Sequence, residues 1–519
     1  MIGLLPEILW ESQIGAPLLS LLVVLPGLGA LAVWAFRTDR AVRGVTHAVT
    51  IAVFGLSLFL LPCFRPDVPD VQFVERLAWI PSLGISYHLG VDGISLLLVL
   101  LTTFLGALLP FFPWTVATAA GNTRTYAMTL LLLEALMVGV FLAMDLVLFF
   151  VFWELILIPT YFLIKLWGGA RREYASLYFL LYALVGDLLI LVGIVLLYLN
   201  RYEYAVAHAL TPAYSADLID LFRTPVPPDV QGWVFLCFAL GFAVKVPLVP
   251  FHTWLPEAHV EAPTTGSVIL AGILLKIGTY GFLRFCLTLL PEASRAFMPT
   301  VLTLAVIGIV YGGFLALAQQ EMKRLIAYSS ISHLGFVMLG LFSFDYQGLQ
   351  GGLLQMINHG VSTAGLFFIV GFLYERRHTQ KIGEFGGLAK RLPNLAFAYL
   401  LISLSSLAMP GTNGFVGEFL ILVGAFHHHW VFAAVAVVGV ILGATYLLWL
   451  YRRVMHGPLE RPENRVLPDL TPSETVIAAA LCTMVLWIGL APGMFLSLTE
   501  GSLRRVAEVM AAAGGKVPL

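Results

Sequence analysis

The chain has 519 residues, of which 59% are hydrophobic and 11% charged, and its formal charge is -1. Soluble globular domains carry about 25% charged residues, so this balance excludes an ordinary water-soluble enzyme. The near-neutral charge, without any long Lys/Arg block, excludes a nucleic-acid partner. Cys63, Cys237, Cys286 and Cys482 are scattered, with no C-x-x-C spacing and no histidine at ligand spacing, which argues against a metal or iron–sulfur cluster held by this chain.

A helix that crosses a bilayer needs about 20 apolar residues, and runs of that length recur along the whole sequence. In chain order they predict about fourteen helices, at 14–36, 44–63, 92–112, 124–143, 145–166, 174–200, 231–256, 262–289, 297–317, 324–344, 348–374, 393–425, 430–453 and 474–497. The opening MIGLLPEILWESQ has acids but no basic stretch, so it does not read as a cleaved signal peptide. Asp92 and Asp145 stand at expected helix starts, where a carboxylate caps the helix. The expected fold is an all-α polytopic membrane protein, one membrane domain over 1–519. Within it, 1–123 supplies N-terminal helices and 454–519 a C-terminal loop, helix and tail.

Basic residues separate between alternate loops. One set is rich in them, with Arg37, Arg40, Arg43, Arg171, Arg172, Lys323, Arg324, Arg376 and Arg377 among its members. The other set is sparser, holding Arg65, Arg76, Arg201, Arg223, Arg295, Arg504, Arg505 and Lys516. By the positive-inside rule the rich set faces the cytoplasm, which puts both termini outside. Lys165 and Arg284 are expected to snorkel from near helix ends.

Two spans are interrupted. AVKVPLVPFHTWLP in the seventh carries Pro247, Pro250 and Pro256, and AMPGTNGFVGEF in the twelfth carries Pro410, Gly411 and Gly414. Proline removes a donor and clashes with the preceding turn, so each segment should break its helix and free carbonyls that need polar partners. The breaks lie five spans apart. An odd offset predicts two inverted five-helix repeats, 124–289 and 297–453, and paired broken helices of this kind mark midplane transport sites. Proline kinks scattered without function are the competing explanation.

A charge at the centre of a membrane helix costs about 3 kcal/mol even on insertion scales, so it faces a partner or water and usually serves function. This chain has a row of ionisable groups at such depth: Glu134, Glu154, Lys245, Lys276, His333, His359 and Glu418. A carboxylate beside a buried lysine favours its ammonium form, and withdrawing the carboxylate favours release of the proton. Glu154 and Lys245 can thus form a switch, with Lys276 and the two histidines as stations and Glu418 as the end. The alternatives are a structural ion pair between helices, histidines that only bridge helices, and a Glu134 that pairs with a neighbouring subunit. His427, His428 and His429 read as an outer loop in contact with solvent or headgroups. His252 and His259 flank Glu257 without zinc-hydrolase spacing, although His252 could help hydrate the break. No G-x-G-x-x-G or P-loop occurs, so a nucleotide or flavin site is not expected.

The stretches HLGVDGISLLLVLLT, FFVFWELILIPTYFLIKLWGG, FAVKVPLVPFHTWLPEAHVEAPTTGSVILAGILLKIGTYGFLRF, KRLIAYSSISHLGFV, QMINHGVSTAGLFF and MPGTNGFVGEFLIL resemble the antiporter-like membrane subunits of respiratory complex I, NADH-quinone oxidoreductase, from about residue 75 to 455. Glu418 stands where N-type, L-type and Mrp antiporter subunits usually carry lysine, so the likeness is strongest to the M type. Membrane subunits of group 4 hydrogenases and the cyanobacterial or plastid homologue are also similar. The resemblance implies Glu154 and Lys245 as input pair, Lys276 as central proton station, His333 and His359 as the connection, and Glu418 as the terminal site. It further implies packing between N-like and L-like subunits in a bacterial inner membrane, or a thylakoid membrane for the photosynthetic homologue. NADH, FMN, iron–sulfur clusters and quinone would belong to partner subunits, with no cofactor in this chain.

Overall fold

The computed structural model describes residues 7–211 and 214–513; the first residues of the N-terminal stretch and Lys516 lie outside the described residues. Its longer helices are α1 (Leu18–Ala32), α2 (Asp39–Leu58), α3 (Leu96–Leu108), α4 (Thr123–Leu142), α5 (Leu146–Trp167), α6 (Arg172–Ala207), α7 (Pro228–Lys245), α8 (Trp254–Glu261), α9 (Thr264–Leu289), α10 (Pro291–Leu317), α11 (Met322–Leu341), α12 (Tyr346–Arg377), α13 (Pro393–Ser406), α14 (Asn413–Met455), α15 (Pro472–Leu490) and α16 (Gly493–Ala512). Among the described residues, eleven helices are long and apolar enough to cross a membrane. Helices are the expected solution, because in hydrocarbon every backbone polar group must find its partner within the segment.

Burial ranks the helices. The apolar windows of α9 and α12 are 100% buried inside the protein, whereas those of α6 and α14 are 39% buried. The first two therefore form the centre and the last two meet lipid. On α6 the exposed residues Leu177, Leu181, Leu184, Leu188, Val192, Val195 and Leu199 follow a helical stripe. The opposite stripe holds Ala183, Gly186, Ile190 and Gly193. A Cβ at Gly193 would stand 2.6 Å from the Phe238 ring of α7, so only glycine permits that approach.

Both proline-bearing segments break their helices as expected. The chain leaves helix between Lys245 and Trp254 and again between Ser406 and Asn413. Pro256 is the exception. It occupies the first turn of α8, where proline removes no bonded donor. The freed Val244 carbonyl is satisfied by the Trp254 indole N–H at 2.8 Å, and the Asn413 carbonyl by the Asn358 amide at 2.8 Å. The expected loop near 426–429 is instead a kink inside α14, at His429 (φ -138°, ψ 49°). Here His427 Nδ1 lies 3.0 Å from Asp345, so this outer cluster pairs with a carboxylate.

Helical periodicity did not register the β-structure. Strand β1 (Glu7–Leu9) runs parallel to β2 (Val71–Ile80), which pairs antiparallel with β3 (Ile85–Val91) through a turn closed by Gly84 at φ 62°. Asp145 caps α5 by accepting from Val147 and Leu148, as expected. Asp145 also forms an isolated antiparallel bridge with Asp217, and Glu321 forms one with Lys381. Each bridge ties the residue before a span (α5 or α11) to the connection that follows the next span (α6 or α12), and the two spans α5 and α11 lie at matching places in the two expected repeats.

Candidate functional site

At the first break Lys245 ends α7, almost wholly buried. The ion partner brought to it is Asp187 of α6, Oδ2 at 3.8 Å, rather than Glu154. Asp187 is held by the Trp153 indole N–H at 2.6 Å, and Lys245 Nζ lies 5.0 Å from the centre of the Trp153 ring. Glu154, the next residue on α5, is only partly buried and lies within electrostatic reach of both Asp187 and Lys245. The expected input pair is therefore a lysine between two carboxylates. Asp187 was missed although it sits in LVGDLLI at spanning depth, the same signal that singled out Glu134.

Lys276 occupies the centre of α9 and is 0% exposed. A π-helical turn, Leu270–Leu274, precedes it. Such turns break the i to i-4 ladder and recur at functional sites. The Lys276 ammonium donates to the Ala271 carbonyl, which the widened turn presents, and its Nζ lies 2.6 Å from His359 Nδ1 of α12.

From His359 the polar chain continues. The rings of His359 and His333 have centroids 5.6 Å apart. His333 Nδ1 lies 3.2 Å from Glu418 Oε1, and its Nε2 lies 3.3 Å from the Ser406 hydroxyl. Gln355 donates to the same Glu418 oxygen at 3.1 Å. Between the two histidines and the Ser405–Ser406 end of α13 is a cavity of about 10 Å³, the size of one water, lined by polar side chains. The second break thus places Glu418, in the second turn of α14, against a histidine from α11.

One expected placement and one alternative need correction, and one expected placement holds. Arg284 does not snorkel: it is buried and makes a bidentate pair with Asp92, 2.6 Å to each oxygen, while Asp92 also caps through Ile94 and Ser95. Glu134 does not reach a neighbouring subunit, because it is 2% exposed inside this chain, beside Gly106, Thr46, Thr50 and Thr102 around a cavity of about 10 Å³. Lys165 stays near a helix end and donates to the Tyr161 hydroxyl at 2.9 Å.

Beyond Asp187, the structure adds His259. It is fully buried, stacked on Phe367 at 5.0 Å, and neither ring nitrogen has a hydrogen-bond partner among the described residues. It lies in electrostatic reach of Lys276 and of Lys323, whose ammonium donates to the Ala262 carbonyl at 2.7 Å. Its flanking position in HTWLPEAH pointed to the broken helix, but not to its isolation. His252 is also buried, edge-on to Tyr311 with its Nδ1 unpartnered among the described residues.

Comparison with known proteins places this arrangement. Residues 143–443 match the family described as NADH:quinone oxidoreductase/Mrp antiporter, TM. The chain is 43% identical over 499 residues to NADH-quinone oxidoreductase subunit M of Rhodobacter capsulatus, covering 95% of this chain and 96% of that one. It is 40% identical to NADH-ubiquinone oxidoreductase chain 4 of Arabidopsis thaliana, covering 94% and 97%. A chain of respiratory complex I from Thermus thermophilus with bound NADH superposes with a TM-score of 0.84 at 33% identity, covering 96% of this chain and 100% of that one. A chain of the Mrp complex of Dietzia sp. shares the fold, with a TM-score of 0.79 at 21% identity and 96% and 100% coverage. On this evidence the chain belongs to the NADH-quinone oxidoreductase subunit M family of antiporter-like, proton-translocating membrane subunits.

Proposed function

We propose that this chain moves protons across a bacterial inner membrane as a subunit of an NADH-quinone oxidoreductase, with NADH, flavin, iron–sulfur clusters and quinone handled by partner subunits. N-like and L-like subunits are its neighbours in that assembly. The observation that carries the reading is the chain of contacts from Lys276 through His359 and His333 to Glu418.

The relay runs as follows. Lys245 keeps its proton while Asp187 and Glu154 stand close, and releases it when the hydrated break loosens that grip. Protonated Lys276 passes a proton to His359 Nδ1, and the imidazolium releases its other proton through the small polar cavity to His333. His333 Nδ1 then delivers to Glu418 Oε1. His259 and Lys323 supply a cytoplasmic approach to Lys276. Residues 124–289 and 297–453 act as inverted repeats, each with one broken helix; the two matching bridges, Asp145 with Asp217 and Glu321 with Lys381, support that pairing.

The test is Lys245→Ala and Glu418→Ala in the assembled complex. Loss of pumping per NADH oxidised is expected. Unchanged stoichiometry and turnover in both would end this reading, and cation/proton exchange by the chain without NADH-oxidising partners would favour an Mrp-type antiporter.

A further inference from the structure

A pump fails if its central station is open to the outside while it loads from the inside. On the arginine-poor face, which the distribution of basic residues assigns to the outside, a cavity of about 850 Å³ opens between α16, residues 219–226 and the end of α9. Its lining includes Thr224, Gln231, Thr288 and Ser502, side chains able to hold water, and it reaches Asp92 and Arg284. Arg284 lies eight residues from Lys276 on the same helix, about 12 Å at 1.5 Å per residue.

What fills those 12 Å is specific. Asp92 and Arg284 are 5% and 4% exposed, and the carboxylate takes both guanidinium NH groups as well as the Ile94 and Ser95 backbone amides. The remaining Arg284 Nε–H donates to the Tyr280 hydroxyl at 3.1 Å, and that hydroxyl faces the Phe141 carbonyl at 3.5 Å. Tyr280 stands one turn from Lys276 and is packed edge-on against Phe141 and Phe285. Each guanidinium nitrogen and each carboxylate oxygen of the pair is engaged, and a guanidinium does not release its proton, so the pair does not carry a proton onward. A fixed guanidinium at a constriction also repels protons and cations.

We propose that the Asp92–Arg284 pair, backed by Tyr280, is a seal that keeps protons in the outer cavity from returning to Lys276. The proposal rests on Lys276 being a proton station. Arg284 and Asp92 are positioning residues in this role: they bar a route and transfer nothing. Arg284→Gln would remove the fixed cation and leave Asp92 as a carboxylate that can take up and hand on a proton, turning the seal into a step.

The experiment uses the whole complex in proteoliposomes with an imposed pH gradient, no NADH, and a pH-sensitive dye inside. Arg284→Gln should equilibrate several-fold faster than the unaltered complex, Arg284→Lys should stay tight, and adding Lys276→Ala to Arg284→Gln should abolish the leak. An Arg284→Gln complex that co-purifies with all partners and is as tight as the unaltered one overturns the seal. If that variant does not assemble, a cysteine-replaced background decides: a membrane-impermeant thiol reagent added outside should modify Thr288→Cys and spare Thr279→Cys. Modification of both, or of neither, overturns the proposal. Pumping retained in Lys276→Ala would instead overturn the relay on which it rests.

Discussion

Lys276 Nζ and His359 Nδ1 meet at 2.6 Å, joining the two helices whose apolar windows are wholly enclosed by the rest of the chain. This contact crosses from the first expected repeat to the second. His359→Ala leaves the Lys276 ammonium with the Ala271 carbonyl as its hydrogen-bond acceptor and removes the next group of the proposed relay. Protons pumped per electron, read from dye quenching against NADH oxidation in vesicles, should fall; an unchanged ratio would place the route elsewhere.

Asp187, rather than Glu154, holds Lys245. Removing one partner of a buried ion pair leaves an uncompensated charge and costs about 3 kcal/mol. Asp187→Asn should therefore lower the thermal unfolding midpoint of the assembled complex and impair pumping at least as much as Glu154→Gln. The reverse order of severity would restore Glu154 as the principal partner.

The approach of α9 to the first break depends on a missing side chain. A Cβ at Gly278 would lie 2.8 Å from Val246 Cγ2 and 3.0 Å from Lys245 Cβ. Overpacking of this kind costs about 1–3 kcal/mol. Gly278→Ala should lower both stability and pumping, measured by unfolding and vesicle acidification on one preparation, whereas Gly44→Ala, where a Cβ meets nothing within 4 Å, should change neither.

Outside the spans, His88 sits on β3 between Asp217 at 2.8 Å and Glu7 at 3.2 Å, with Arg76 2.8 Å from the same Asp217. Burial disfavours the charged ring, but hydrogen bonds to Asp217 and Glu7 outweigh it and raise its pKa from 6.5 to about 9. Stability from this cluster is complete below pH 6.5 and is lost as pH rises through about 9. Burial opposes ionisation of Asp217, yet the His88 hydrogen bond holds it below its usual 3.8, and the same histidine lowers Glu7 from 4.5. Their contribution is present above those ordinary values and fades as pH falls through the lowered ones. Hydrogen exchange of the 71–91 amides should speed up on the alkaline side between 6.5 and 9 more than base catalysis explains. His88→Ala should remove that limb.

The sequence made the spans and breaks legible because hydrocarbon punishes a free backbone group or an unpaired charge so heavily that both leave marks in composition. The depth of Lys276, His333, His359 and Glu418 followed from that cost alone. Partners did not. Which carboxylate meets Lys245 depends on how α5 and α6 pack around Trp153, a fact of three dimensions that spacing along one helix does not carry. Arg284 looked like a snorkelling end because its partner, Asp92, lies 192 residues earlier and had a sufficient local explanation as a cap. The hairpin escaped because β2 is buried on consecutive residues at its start, so it lacks the alternation that marks a strand.

The total enclosure of α9 bears on how the protein is made. A helix that carries a lysine at its centre and offers no lipid-facing stripe is a poor passenger in bare bilayer, and the side chain that meets its ammonium lies 83 residues further along the chain. At about 5–20 residues per second of synthesis, α9 waits several seconds before α12 emerges to meet it. During that interval Lys276 needs shelter from the insertion machinery or from the helices already in place. Lys276, which we propose as the central proton station, is thus also the point of greatest exposure in the protein's birth, and errors of biogenesis should concentrate there.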